Sequence, residues 1–474
     1  LFSAPVDGSA ASLRLNASLP AGGSVAGDCE QVRGGRVVYR ADQLTDEVNE
    51  LFIVPADGSA APLRLSGTLQ PAGDEISFFA HDTFVLYLAD ASVDGREELY
   101  RVPLDGSTSP LALTPGLDVY RFQGFTRDGA LALFSTYPSS IEERLYVVPT
   151  DGSAAPLYLA GSGIPSGFAY TTFWQVEPTG DGQRVVFQRL EDDGSFLYCD
   201  LWSARLDGTS LVQLNPGPRF APTEFKLAPD GAWAAYVDTE VSSSYYSELV
   251  TVRTDGTLWR VLTPGAGRPG SFELSDDSVF CVFTSREAGL TSLQLDRLDG
   301  TQPFELLAPD VPSISLIDLV RGSTTAIYLS QSVLHALPSP NLPVAISGPG
   351  VTISRTFGFP AFRFTSDEGR ILYRADPAIS GVYDLFSAPV DASEPPSQLS
   401  PPLSGGRDVW DFRIAPDGRV LYRADQAVDD RFELFGVPVD GGQPAVRLNG
   451  ALGANQDITS YAQPARERRP VRGP

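Results

Sequence analysis

The chain of 474 residues contains no methionine, one lysine (Lys226), two histidines (His81 and His335) and three cysteines (Cys29, Cys199 and Cys281). No apolar run reaches the roughly 18 residues that a membrane-spanning helix needs, and no helix-length amphipathic segment occurs. Each shortage closes off some chemistry. Two histidines in unrelated contexts do not form a histidine-rich zinc site, and HExxH is missing. There is no G-x-S-x-G elbow and no α/β segment to carry a hydrolase triad, so a peptidase of that type would need a domain outside these residues. An odd number of widely spaced cysteines reads as core thiols in strands rather than as a disulfide or metal framework. The first residues, Leu1-Phe2-Ser3, show neither a basic nor an apolar leader region. Either a signal peptide has been removed or these residues are a window on a longer chain.

What is abundant is acid. Lys and Arg total 35 against 59 Asp and Glu, a formal charge of 35 − 59 = −24. Such a surface repels phosphate backbones, so nucleic acids and anionic membranes are poor partners, whereas a cationic ligand or partner is allowed. Glycine (45) and proline (39) are also plentiful, but they recur at fixed places, which marks turns rather than low complexity.

The chain repeats itself. ELFIVPADGSAAPLRL (50–65) returns as ELYRVPLDGSTSPLAL (98–113), RLYVVPTDGSAAPLYL (144–159) and ELFGVPVDGGQPAVRL (433–448), and residues 1–15 are the same phrase entered partway through. Its turn aspartate falls at Asp7, Asp57, Asp105, Asp151, Asp207, Asp255, Asp299, Asp391 and Asp440. The one gap of 92 is twice 46, so a degenerate copy sits near 345. That gives about ten copies with a period near 48, which is the signature of an array. Inside a period the signal is β. RVVYRAD (36–42), VLYLAD (85–90), ILYRAD (371–376) and VLYRAD (420–425) alternate with period two and are rich in β-branched and aromatic residues. An acidic loop follows each, then ELF or ELY opens a strand ending at Pro-x-Asp-Gly, a turn in which Asp hydrogen-bonds its own backbone and Gly takes positive φ. A short fourth strand returns. Before the next copy comes another strand with its own turn, as in EFKLAPDGA (224–232), AFRFTSDEG (361–369) and DFRIAPDG (411–418).

Four short antiparallel strands per period of this length make one propeller blade, a sheet too small to bury both faces without neighbours. The expected fold is therefore an all-β propeller of about ten four-stranded blades occupying 1–465, with an Arg/Pro-rich tail at 466–474. The N-terminal strands would combine with the C-terminal segment to close the ring and remove exposed edges. Two smaller rings, or a piece of a longer array, are the alternatives. The copy at about 325–357, with VLHALPSPNLPVAISGPG, departs most from the pattern and is expected to be irregular.

The APDG of 415–418 opening a VLYRAD strand, followed by an acidic loop, ELF and VPVDG, resembles the PD40 repeat of TolB-like propellers. The resemblance covers nearly the entire chain. It implies the fold and, by analogy with TolB, envelope protein–protein contacts, but a superfamily with many functions does not fix one. The TolB-like lyases that act on pectin fragments rely on clustered metal-binding histidines, which this chain does not supply.

Two sets of candidate site residues stand out. Loops between the second and third strands of the blades gather Asp42, Asp46 and Glu47, Asp90 and Asp94, Asp192 and Asp193, Asp376, and Asp425, Asp429 and Asp430. Propeller topology places these loops on one face near the channel mouth, where they would form a docking face for a cationic partner or oxygen ligands for Ca²⁺. Against a metal role, Asp favours turns, and the dense spacing of an EF-hand or a nonapeptide repeat is missing. The second set is aromatic. Tyr245 and Tyr246 lie in a loop-like setting, whereas Tyr170, Phe173, Trp174 and Trp410 read as packing between blades. RTDGTLW (253–259) is a single imperfect copy of a sialidase Asp-box, and Asn16-Ala17-Ser18 matches a glycosylation triplet that is common by chance. The reading that follows is a secreted or periplasmic, non-catalytic platform without a required cofactor, binding protein, peptide or glycan through loops on its faces or serving as a surface or filament subunit. The alternative is the propeller of a larger hydrolase, or a carbohydrate-active enzyme that uses carboxylates alone.

Overall fold

In every copy the V-x-Y-type run becomes the second strand of a sheet, and its aromatic residue is fully buried. Tyr39, Tyr87, Phe134, Phe187, Tyr236, Phe283, Tyr328, Tyr373 and Tyr422 are all among the largest fully buried residues. The computed structural model describes residues 1–67, 77–139, 142–161, 170–192, 197–215, 220–240, 247–263, 268–287, 290–301, 305–311, 314–321, 323, 325–337, 344–347, 352–353, 361–376, 381–453 and 456–461.

Nine antiparallel four-stranded blades span 25–64, 77–112, 119–161, 170–213, 220–261, 268–311, 314–345, 352–398 and 409–447. They are numbered here in chain order. Within blade nine the strands are Val409–Ile414, Arg419–Ala424, Glu433–Pro438 and Val446–Arg447, paired in sequence order. In blade eight the first strand comes in two pieces, Thr352–Ile353 and Phe362–Phe364, both paired with Arg370–Asp376. A parallel bridge from Glu142 to Thr171 joins blades three and four. The degenerate copy is still a four-stranded sheet, blade seven. There the acidic loop is replaced by a two-residue turn, Gln331-Ser332, with φ of +48° and +64°.

The expected count of ten is corrected to nine. At the tenth position the N-terminal residues supply only a two-stranded sheet, Phe2–Ser3 paired with Leu13–Arg14. The C-terminal residues 456–461 lie beside it without forming a strand. The ring nevertheless closes. Apolar side chains gather into ten clusters, and each one bridges two neighbouring positions. The last joins Leu421 and Leu448 of blade nine to Ala4, Val6 and Tyr461, and another joins Leu1 and Leu15 to Tyr39 and Phe52 of blade one. Ser460 Oγ also donates to the carbonyl of Gly27, 433 residues away, at 2.7 Å.

Two repeated devices hold neighbours and strands in place, and together they account for the constancy of the phrase. The first is an interlock. The glycine of the Asp-Gly turn has positive φ, and at five joints the leading apolar residue of the previous blade's fourth strand rests on it. At Gly152 (φ +71°) an added Cβ would lie 2.6 Å from Leu111 Cδ2, so glycine is required by both backbone and neighbour. The same pairing joins Leu13 to Gly58, Leu63 to Gly106 and Leu157 to Gly208, and across the closure Val446 to Gly8. The second device follows the fourth strand, where a buried or half-buried Ser, Thr or Asn turns back and accepts a backbone N–H at the start of the third. Ser66 takes Leu51 N–H at 3.1 Å, Thr114 takes Leu99 at 2.8 Å, Ser347 takes Leu334 at 2.9 Å and Asn449 takes Leu434 at 2.8 Å. Burying these donors without a partner would be costly, so the hydroxyl or amide is kept even in the degenerate copy.

Candidate functional site

The acidic loops are built as self-braced turns. Asp42, Asp90, Asp376 and Asp425 each end a second strand, and each accepts the backbone N–H of the residue five positions on. The distances are 3.4 Å from Glu47, 3.2 Å from Gly95, 3.2 Å from Gly381 and 3.0 Å from Asp430. All four of those donors have positive φ. The second oxygen of Asp425 takes Asp408 N–H at 2.6 Å, and that of Asp42 takes Ser24 N–H. The pattern D-x4-[G/D/E] is visible in the sequence as a signal for this turn. Asp42, Asp90 and Asp425 are buried, while Asp46, Asp94 and Asp429 stay at the exposed tips.

Among the described residues, one group of carboxylates converges. Oxygens of Asp425, Asp429 and Asp430 lie within 4.8 Å of one another. Hard oxygen donors of this kind suit Ca²⁺, but both oxygens of Asp425 already serve the backbone.

The aromatic candidates divide. Phe173 is core, as expected, whereas Trp174 is 64% exposed and Trp410 44% exposed, which corrects the packing assignment for these two. Their backbone explains it. The inner strands of blades three, four and nine carry a register shift against the second strand, at Val119/Arg121, Phe173/Val176 and Val409/Asp411. The extra residue of such a bulge is left unpaired and re-aimed. In blades three, four and nine that residue is Tyr120, Trp174 and Trp410. Tyr120 packs against Tyr137 at 5.2 Å beneath the Arg121 guanidinium, and Trp410 meets Phe432 at 5.5 Å. First strands touch across the joints of blades three and four, five and six, and six and seven, which is the arrangement of strands nearest the axis. Tyr245, Tyr246, Asp193 and the tail 466–474 lie outside the described residues.

A cleft of about 320 Å³ opens at the closure, lined by Gly27, Asp28, Cys29, Glu30, Phe78, Arg413, Ser460 and Tyr461. Arg413 lies over the Tyr461 ring at 5.0 Å. Sequence reading gave no hint of it, because its walls come from both ends of the chain.

Buried carboxylates form a further feature. Asp238 is 3% exposed, and burial, with Glu248 and Asp200 adding repulsion, pushes its pKa up to about 7. Burial and Glu273 raise Asp318 to about 6. The histidines stay apart. His81 stacks on Phe84 at 4.6 Å in blade two, and His335 stacks on Tyr328 at 5.0 Å in blade seven, where burial lowers its pKa. The three cysteines form no disulfide and lie on strands, with Cys199 and Cys281 buried. In RTDGTLW, Asp255 makes the same turn as its siblings, taking Thr257 N–H at 3.0 Å, and Trp259 Nε1 donates to Tyr236 OH at 2.9 Å. Asn16 Oδ1 accepts from the nitrogen of Leu1 at 2.8 Å, as its counterparts in other copies do.

The chain matches no protein-family description and no curated protein. Solved structures with a similar course include a TolB candidate from Agrobacterium tumefaciens (18% identity, 60% of this chain and 90% of that one, TM-score 0.28). They also include a prolyl endopeptidase (15%, 76% and 55%, TM-score 0.40) and an oligogalacturonate lyase in complex with manganese (13%, 77% and 96%, TM-score 0.39). This chain thus spans little more than half the length of that endopeptidase. At such scores these likenesses decide nothing about activity, and the propeller assignment rests on the chain's own nine sheets and ten bridging clusters.

Proposed function

We propose that the chain is a non-catalytic, extracytoplasmic interaction scaffold of the TolB-like kind, which binds protein, peptide or glycan at the axial wall of the ring. The observation that carries this reading is the placement of Tyr120, Trp174 and Trp410. Three large aromatic side chains at one bulge position of the inner strands are left exposed, while the matching second-strand aromatics are fully buried. Aromatic rings with an apolar face and a polar edge are efficient contact residues for peptides and sugars. The acidic loop tips at Asp46, Asp94 and Asp429 would favour cationic partners. The test is a peptide array and an oligosaccharide array probed with the wild type and with a Tyr120→Ala/Trp174→Ala/Trp410→Ala variant. Binding by the wild type that is at least tenfold weaker in the variant, at unchanged melting temperature, supports the reading. Equal binding by both proteins overturns it.

The alternative, a carboxylate-based carbohydrate-active enzyme, has one observation in its favour. Asp238 has the raised pKa of a general acid beside two further carboxylates. Its burial between blades argues against access by a substrate. Hydrolysis of labelled oligosaccharides that disappears in Asp238→Asn would decide for the enzyme.

A further inference from the structure

A carboxylate near the start of the third strand recurs around the ring, and the second strand accommodates it. Glu50, Glu98, Asp384 and Glu433 stand opposite alanines, Ala41, Ala89, Ala375 and Ala424, and Asp200 stands opposite Arg189. The four that face alanine also have donors. Glu50 takes Arg64 at 2.7 Å, Glu98 takes Arg96 at 3.0 Å, Asp384 takes Ser400 Oγ at 3.1 Å and Glu433 takes Arg447 at 3.0 Å. Blade five breaks this rule. Its Glu248 stands directly opposite Asp238, and among the described residues no other blade sets a carboxylate of the second strand against one of the third. Directly opposed side chains have Cβ atoms about 5 Å apart, where like charges repel.

The opposed pair lies in a joint between blades. Period two puts Asp238 on the face of Tyr236 and Ala234, and Glu248 on the face of Val250. Those residues form the cluster that joins blade five to Val186, Leu201 and Leu214 of blade four. Asp238 is buried, and its Oδ1 has no hydrogen-bond partner. The groups around it are acidic or neutral. On its own strand, burial keeps the Tyr236 hydroxyl protonated, and the first strand sets Pro222 opposite Asp238. From blade four come Gln188, two residues from Val186, and Cys199, two from Leu201, whose buried thiol is pushed up to about 12 and stays uncharged. Asp200 beside it adds repulsion, as Glu248 does. Arg189 points to the other face of blade four, over Trp202, and pairs with Glu191 at 2.7 Å. Two ionised carboxylates in such a place are costly, and a proton on one of them removes the repulsion and supplies a donor.

We propose that Asp238 is a proton-operated latch on the joint between blades four and five: protonated, it lets this joint close like its neighbours, and ionised opposite Glu248 it opens this joint alone. The closed joint holds a proton that an opened one releases. Closure is therefore fully favoured below the pKa of a free aspartate, about 3.9, and weakens as pH rises to the value of about 7 that burial gives Asp238 here. Opening would also release Gln175, next to Trp174, whose Nε2 donates to the carbonyl of Phe225 across the same joint at 3.0 Å. The latch requires no ligand at Trp174 and stands independently of the axial aromatic site.

Amide exchange of the full chain, followed by mass spectrometry from pH 5 to pH 8 and corrected for the intrinsic pH dependence of exchange, tests the latch. Protection of 199–204 and 234–252 should fall at least tenfold across the series and level off at the upper end, while 84–89 in blade two keeps its protection. In Asp238→Asn, whose amide stands in for the protonated carboxyl, protection of the joint should stay level at every pH. Glu248→Gln, which removes only the opposing charge, should shrink the fall, and it serves as the second variant if Asp238→Asn does not fold. Protection of the joint that is independent of pH in the wild type overturns the proposal. So does an equal fall in blade two, or a fall of undiminished size in the variants.

Discussion

Replacing Gly152 by alanine measures how much one interlock contributes. The residue sits at φ +71°, where a Cβ costs about 1–2 kcal/mol through its clash with the local backbone. The new methyl would also meet Leu111 Cδ2 at 2.6 Å. Relieving that contact means moving Leu111 off the turn of blade three, an overpacking cost of about 1–3 kcal/mol. The two parts sum to roughly 2–5 kcal/mol. They can be separated with Gly95→Ala, because Gly95 has φ +72° and nothing within 4 Å of an added Cβ, so it reports backbone strain alone. The pairing is then tested by a double-mutant cycle, in which Leu111→Ala should cancel most of the excess in Gly152→Ala. Pulse proteolysis in a urea series reads the wild type and the four variants on one scale. If Gly152→Ala is no worse than Gly95→Ala, or if trimming Leu111 gives no relief, the interlock is incidental and the ring is held by its apolar clusters alone.

Two further outcomes follow from the carboxylates. Asp238 and Asp318 have pKa values raised above those of an unfolded chain, so the native state holds protons that the unfolded state has released between about pH 4 and 7. Stability should therefore fall as pH rises through that window, and Asp238→Asn should flatten the fall by an amount on the order of 2–4 kcal/mol; melts at pH 5 and pH 8 that shift equally in both proteins would contradict this. At the acidic loops, Asp90→Ala removes the acceptor of Gly95 N–H and should cost about 1–3 kcal/mol. Adding Ca²⁺ or EDTA to the wild type should leave the melt unchanged, and a rise of several degrees with Ca²⁺ would instead make Asp425, Asp429 and Asp430 an ion site.

The repeat made the blades legible because each copy states the same local rules: period-two strands, an Asp-Gly turn, and a hydroxyl or amide after Leu. What the sequence did not disclose are relations between copies. The glycine of the turn reads as a φ requirement, yet it also receives Leu111 from the blade before. Trp174 and Trp410 look like core residues because they follow Phe173 and Val409, which are core. A one-residue bulge turns them outward, and a bulge leaves no mark in composition. Asp42 and Asp425 suggested a collar of ligands. Their function in the fold is set by a donor five residues on, a spacing readable only once the turn is known.

The interlock has an evolutionary consequence. Since five joints use the same two positions from consecutive copies, a tandem duplication of one such 48-residue unit would insert a blade whose joints on both sides are already compatible. Circumference is then free to drift by unequal recombination without redesign of any existing sheet, limited only by how far the inner strands can spread before they cease to touch.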